Sequence, residues 1–267
     1  MHEVRGRSVF CARSGHGEPL LLLHAYPTAS WGFHRIWQRM AERFDVIAPD
    51  LPGSGFSDKP AAPVYGIDTL TDIVESLLLD MGIRRAHVLA HAYGVTVAQE
   101  LLARSVDRES SDGHRPGVEP RSVCFVNGGL FVEGTRPTAT QKLLLSPVGP
   151  LITRWTPTPY TVFRRKLAHA FGTFRPTTED DFRSIWTLLR HNDGHTVVPL
   201  VLRYLRERHG KRDRWVGALE RAAIPMCLVN GAADTVAGEY VPRIWSSKIP
   251  DAPLIQLDPR VGHYPPL

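Results

Sequence analysis

Residues 87–98 read HVLAHAYGVTVA, and this run constrains the chain more than any other. An apolar strand, Ala86 to His91, meets a turn of small residues. Val95, Ala98, Leu101 and Leu102 then recur on one side of a helix. Strand, sharp turn and helix in immediate succession make a nucleophile elbow, a corner that holds one side chain out at the end of a sheet. The tip of this corner is Ala92, whose methyl group can attack nothing.

The same alternation runs along the chain. Strand-like apolar runs at 8–13, 19–24, 44–50, 86–91, 122–127, 225–230 and 252–258 are separated by longer amphipathic segments. Among these, 30–44, 67–82 and 95–105 have helical spacing. That order predicts an α/β fold with a mainly parallel sheet flanked by helices. The strands are continuously apolar, so both sheet faces should be covered. Two segments break the pattern. The polar run 107–122 reads as a surface loop. Residues 131–216 are strandless and rich in Pro, Trp and Arg, which predicts an inserted helical cap, with 1–130 and 217–267 forming the core.

With 267 residues, 43% of them hydrophobic, the chain can bury one substantial core. No stretch approaches the roughly 18 apolar residues of a membrane span, so a soluble, cytoplasmic protein is expected. Cys11, Cys124 and Cys227 are odd in number and sit in apolar runs, which reads as reduced core thiols with neither a disulfide nor a metal site. The net charge of +5 owes much to 203–214, where six basic residues outweigh two acidic ones. No nucleic-acid motif accompanies that run, so it is expected to be a solvated helix face.

In an open parallel sheet, ligands collect at the carboxyl ends of the strands, and four segments fall there. HAYPTAS, after the strand at 19–24, can aim the backbone N–H of Tyr26 at a developing oxyanion, and the N–H of Tyr93 beyond the elbow tip is the second donor. In APDLPGSGFSDKP (48–60), Gly53 and Gly55 permit positive φ, while Asp50, Ser57 and Asp58 can tie loop backbone, a structural role. Asp234 follows the strand at 225–230, and His263 follows the last strand. Nucleophile position, acid and histidine thus occur in the chain order of α/β-hydrolases.

HAYPTASWGFHRIW, FDVIAPDLPGSGFSDKP, LAHAYGVTVAQELLAR, NGGLFVEGTRP, LLRHNDG and RWVGALERAAIP together resemble α/β-hydrolases of the mesoderm-specific transcript type, relatives of soluble epoxide hydrolases and haloalkane dehalogenases. The resemblance covers most of the chain and implies the α/β-hydrolase fold with an inserted helical cap. It also implies epoxide ring opening through an ester on an elbow Asp, hydrolysed by water that a His–Asp pair activates. Carried onto this sequence, the nucleophile position is Ala92, the base His263, its orienting acid Asp234, and the oxyanion donors the N–H groups of Tyr26 and Tyr93. Ala25 stands where the usual His-Gly-x-Pro has glycine. Cap tyrosines that would hold the epoxide oxygen are Tyr204 first and Tyr160 second. Tyr93 occupies the place where dehalogenases commonly carry a halide-binding Trp, which favours epoxide over haloalkane chemistry.

Three accounts of Ala92 follow. A deliberate Asp-to-Ala change that silences an enzyme fits the retention of His263, Asp234, Gly94 and the oxyanion turn. A natural pseudoenzyme with a binding or scaffolding role is the second, and a non-covalent His/Asp enzyme the third. The fold normally continues into a C-terminal helix after the histidine. Without it, apolar surface near the last strand should be exposed and could be relieved by a homodimer. Trp155, Phe163, Phe171, Phe174 and Trp186 either line the pocket or hold the cap together, and Trp155 and Trp186 are taken as substrate-binding candidates. A bulky, mostly apolar small molecule is the expected substrate. The chain shows no phosphate loop, metal constellation or nucleotide fingerprint, so no cofactor is implied.

Overall fold

Continuously apolar strands pack on both faces, and the computed structural model shows how far that holds here. It describes residues 1–62, 64–110, 117–134, 137–156, 158–174, 177–236 and 238–265. The strands are β1 (His2–Val4), β2 (Arg7–Val9), β3 (Cys11–Ser14), β4 (Glu18–Leu23), β5 (Phe44–Pro49), β6 (Arg85–His91), β7 (Glu119–Val126), β8 (Met226–Asn230) and β9 (Leu254–Gln256). Seven of them form one sheet in the order β3-β5-β4-β6-β7-β8-β9, parallel except for the antiparallel pair β3 and β5.

One face carries Leu21, Leu23, Ile47, Val88, Ala90, Val123, Phe125 and Leu228. It is covered by α2 (Ile67–Asp80), α3 (Tyr93–Glu109), α9 (Tyr204–Arg221) and α10 (Tyr240–Lys248). The other face carries Leu20, Leu22, Val46 and Ala48 under α1 (His34–Ala41). Beyond Leu89 this second face is more open: Cys124, Cys227 and Val229 are half-buried and Ile255 is 48% exposed.

Several expectations change in detail. The strand expected at 8–13 splits at Phe10. Its first half forms a hairpin with β1, unforeseen in the sequence, and its second half pairs with β5. The helix expected over 30–44 is a 3-10 turn, Ser30–Phe33, followed by α1. The polar run at 107–122 is helical as far as Glu109 and strand from Glu119, and 111–116 lie outside the described residues. The three cysteines are free and half-buried rather than fully in the core, with Cys124 and Cys227 register partners on β7 and β8. No helix among the described residues is long and apolar enough to cross a membrane.

Between β7 and β8 lie α4 (Ala139–Leu144), α5 (Gly149–Trp155), α6 (Tyr160–Phe171), α7 (Glu179–Arg190), α8 (Val198–Val201) and α9. Thr138 and Thr178 open α4 and α7 with capping boxes closed by Gln141 and Asp181. Asp181 also accepts from Arg35 at 2.6 Å, tying α7 to α1. At the far end, α9 runs past residue 216 to Arg221 and lies along α3.

The basic run at 203–214 is therefore not a free solvated face. Arg214 meets Glu100 and Asp107, Lys211 meets Asp68 and Glu100, and Arg212 meets Glu133 and Asp213. Arg208 is buried. Glu100 is the hub: it also accepts from Arg104 at 3.3 Å and from the Trp215 indole at 2.9 Å. Burial pushes its pKa up, but the Trp215 and Arg214 hydrogen bonds and the Lys211 charge outweigh that and hold it below the ordinary 4.5.

A carboxyl lowered on folding stabilises fully above its unfolded value, and the contribution fades as pH falls through the folded value. Glu100→Gln is expected to cost about 1–3 kcal/mol at neutral pH, because it removes a buried charged acceptor while Arg104, Lys211 and Arg214 each keep a second carboxylate. Urea titrations from pH 7 down to pH 3 should show the two proteins converging only once pH falls below the ordinary glutamate range, as the lowered Glu100 carboxyl takes up its proton.

Candidate active site

Strand order reverses between β4 and β6, which opens a crevice at their carboxyl ends. Ala92 caps β6 there with φ 49° and ψ −102°, a conformation that costs a non-glycine residue about 1–3 kcal/mol. Two glycines make the corner possible. A Cβ on Gly94 would lie 2.3 Å from the Leu23 carbonyl oxygen, and one on Gly128 would lie 2.8 Å from the Ala92 Cα. The N–H of Tyr93 opens α3 and so has no acceptor inside the helix. On the neighbouring turn, His24 accepts from the Leu51 N–H at 2.9 Å, and Ala25 is fully buried without entering the positive-φ region.

Asp234 and His263 come together from two other loops. His263 Nδ1 is 2.9 Å from Asp234 Oδ1, which also accepts from the Val236 N–H at 2.7 Å. A carboxylate only accepts, so Nδ1 carries the proton and Nε2 is the basic atom. The histidine loop is fixed from behind. Ala170 accepts the His263 N–H at 2.7 Å, and Gly172 and Val261 form a β-bridge. His91 Nε2 lies 2.7 Å from the His263 carbonyl oxygen. Burial, and then the neighbouring His263, push the His91 pKa down to about 3, so this ring is neutral and donates.

Asn127, at the end of β7, joins the two loops. Its Nδ2 donates to the Gly262 carbonyl oxygen at 2.8 Å, and its Oδ1 accepts from the Gly231 N–H at 2.8 Å. It is fully buried, with φ 47°.

These groups border a cavity of about 650 Å³ lined by Tyr26, Ala92, Tyr93, Tyr204 and His263 among others. Tyr204 packs its ring on Tyr93 with centroids 4.7 Å apart, and burial raises its pKa. The remaining aromatic candidates divide. Trp186 lines an adjoining cavity of about 330 Å³ that shares Tyr26, Lys166 and Tyr264 with the first. Tyr160 is not on either wall: its hydroxyl donates to Glu179 at 2.6 Å, and Trp186 packs on its ring. Trp155 is 70% exposed under Arg154. Phe163 lines the smaller cavity, Phe171 stacks on Tyr264, and Phe174 is exposed under Arg260.

The 48–60 loop is tied as its residues suggest. Asp50 accepts from the Ser30 and Phe56 N–H groups, Ser57 donates to the Asp50 carbonyl oxygen, and Asp58 accepts from the Ser8 N–H. Sequence reasoning missed Asn127, His91, Tyr264 and Arg208. For Asn127 the signal was present, an asparagine before two glycines at a strand's carboxyl end.

The alpha/beta hydrolase fold family matches residues 18–110. The mesoderm-specific transcript protein of Mus musculus is 38% identical over 260 residues, 95% of this chain and 75% of that protein. The chain therefore belongs to the α/β-hydrolase fold family, with mesoderm-specific transcript proteins among its relatives. Haloalkane dehalogenase DbeA from Bradyrhizobium elkani superimposes with a TM-score of 0.78 at 21% identity, covering 99% of this chain and 90% of the other. Epoxide hydrolase CorEH superimposes with a TM-score of 0.77 at 20% identity, covering 99% and 91%. At such identities these two likenesses establish the fold alone.

The Asn127 tie generates a graded prediction. Asn127→Gly removes two buried hydrogen bonds while relieving the backbone, and is expected to cost about 1–3 kcal/mol. Asn127→Leu also forces an unfavourable φ and leaves both loop groups without that partner, so its loss should be larger. Chemical denaturation of the two variants gives the order directly.

Proposed function

We propose that this chain is an epoxide hydrolase-like enzyme whose nucleophile position is emptied by Ala92. One observation carries the reading: a strained corner holds Ala92 at the wall of a cavity that His263 also lines, with Asp234 hydrogen-bonded behind it. Strain of that kind is kept where a side chain must be held out, and alanine gains nothing from it.

With a carboxylate at position 92, the chemistry balances on residues of this chain. The carboxylate oxygen bonds an epoxide carbon as the ring C–O bond breaks, and Tyr204 gives its proton to the leaving alkoxide. His263 Nε2 then takes a proton from water, whose oxygen attacks the ester carbonyl. The backbone N–H groups of Tyr26 and Tyr93 meet the resulting oxyanion. Collapse expels the diol oxygen, which takes the proton from His263, and the regenerated acid returns a proton to Tyr204. Asp234 keeps His263 in the tautomer the step needs. The adjoining cavity, with Trp186 on its wall, suits the apolar part of a small-molecule substrate. Tyr160 has no part in this scheme because its hydroxyl is engaged by Glu179.

Losing a nucleophile can cost about a millionfold in rate, roughly 8 kcal/mol. The chain as written is therefore expected to be silent on epoxides, haloalkanes and esters, and Ala92→Asp should restore turnover of epoxides in a panel. Adding His263→Ala to the restored enzyme should leave alkylation of the introduced carboxylate intact and stop release of the product, seen as a trapped ester by mass spectrometry. An Ala92→Asp protein that folds and turns over nothing removes the hydrolase reading in favour of a binding role. Turnover by the unmodified chain that His263→Ala abolishes points instead to a non-covalent His/Asp enzyme.

A further inference from the structure

Cys124 and Cys227 lie on β7 and β8, clear of the chemistry at the carboxyl ends of those strands. The two strands are adjacent and parallel, and the cysteines are register partners, so their side chains leave the same face of the sheet side by side. It is the more open face: the alternate residues Val123, Phe125, Met226 and Leu228 point the other way, into the layer of α2, α3, α9 and α10. Both thiols are free and half-buried, and both line a cavity of about 620 Å³ that Ser122, Ile224, Lys248 and Asp251 also border.

Neighbouring strands run about 4.8 Å apart. Cysteines can be bridged when their Cα atoms stand about 4.4–6.8 Å apart and their Cβ atoms face alike, and paired positions on adjacent strands meet both conditions. The two thiols also act on each other's protons. The Cys124 thiol, donating to Cys227, holds the Cys227 pKa below the ordinary 9.0 against the opposing effect of burial, and the same contact together with burial pushes Cys124 up. The pair therefore gives up its first proton readily and its second with difficulty. Cys11, at the far edge of the same sheet, shows the contrary case: burial above all pushes its thiol up to about 12.

We propose that Cys124 and Cys227 form a reversible two-cysteine redox site, oxidised to a cross-strand disulfide by a small-molecule disulfide that enters this cavity, with Cys227 attacking first and Cys124 resolving. The Cys227 thiolate bonds one sulfur of the incoming disulfide as its S–S bond breaks, and the other half leaves as a thiolate that takes up a proton from solvent. Cys124 then gives its proton to solvent and bonds the Cys227 sulfur, which expels the second half as a thiolate that is protonated in turn. The protein loses two electrons and two thiol protons, and the small disulfide becomes two thiols. An external dithiol runs the sequence backwards. Neither the elbow nor the Asp234–His263 pair takes part, so the site stands whether or not the hydrolase reading does.

The unmodified folded chain tests this. After incubation with glutathione disulfide, blocking of free thiols with N-ethylmaleimide and peptide mapping should find Cys124 joined to Cys227 within one chain, consumed at least about tenfold faster than Cys11. In denaturing urea that selectivity should vanish. Phenylarsine oxide, which is held by two adjoining thiols, should bind once per chain and protect both cysteines from blocking. Cys124→Ser should stop with one glutathione on Cys227, Cys227→Ser should take up glutathione at least about tenfold more slowly, and Cys11→Ser should change neither result. A main product that includes Cys11 or a second chain, a pair that reacts no faster than Cys11, or a folded Cys124→Ser chain that takes up no glutathione overturns the proposal. Where a serine variant does not fold, mapping of the unmodified chain decides.

Discussion

The geometry at the carboxyl edge of the sheet hangs on the carboxamide of Asn127. Asp234 and His263 belong to loops after different strands, which meet directly where the Ala233 N–H donates to the Val261 carbonyl oxygen at 3.0 Å. Asn127 adds a side-chain anchor shared by both, donating to the Gly262 carbonyl oxygen and accepting from the Gly231 N–H, both at 2.8 Å. Only a side chain with donor and acceptor on one short stem can do both. The next residue, Gly128, lies so close to Ala92 that a Cβ there would meet the Ala92 Cα at 2.8 Å. One strand end therefore sets the acid loop, the histidine loop and the elbow relative to one another, and none of the three can move without the others.

That coupling gives Ala92 its meaning. An alanine in an ordinary turn would relax out of φ 49° and ψ −102° if its neighbours allowed it. They do not: the Ala92 N–H donates to the Val126 carbonyl oxygen and the Gly94 N–H to that of His24, so the corner is held by β4 and β7 as much as by its own sequence. The corner is thus fixed by the strands around it as well as by the residue at its tip. The His263–Asp234 hydrogen bond is likewise built from the sheet side, through Asn127, His91 and Ala170, without drawing on residue 92.

Much of this was legible in the sequence because apolar periodicity is local. All seven expected strands correspond to observed ones, and HVLAHAYGVTVA reads directly as β6, corner and α3. Where the reading slipped, the deciding contact lay far along the chain. Phe10 breaks the first strand because its N–H is taken by the Ser57 hydroxyl, 47 residues on. The basic run at 203–214 looks solvated until α9 lies on α3, where Glu100 and Asp107 wait as its partners. Tyr160 and Tyr204 are alike in sequence. Glu179 claims the hydroxyl of the first, and the ring of Tyr93 holds the second at the cavity, which no spacing rule distinguishes. Candidate residues could be named from the sequence one by one, but the hydrogen bonds behind them, those of Asn127 above all, could not, because a buried carboxamide has no period.

Attachments of different chemistry tie the helices between β7 and β8 to the rest of the fold. The start of α2 is held by Glu207 of α9, whose carboxylate accepts the Ile67 N–H at 2.9 Å, and the Glu100 hub fixes the rest of α9. Arg35 and Asp181 tie α7 to α1. The end of α6 pairs its backbone with residues 260–263. The last attachment makes the histidine loop part of the cavity roof: Ala170 lines the cavity and holds the His263 N–H at once. Ala170 thus joins α6, the cavity wall and the segment that carries His263 into one piece of structure.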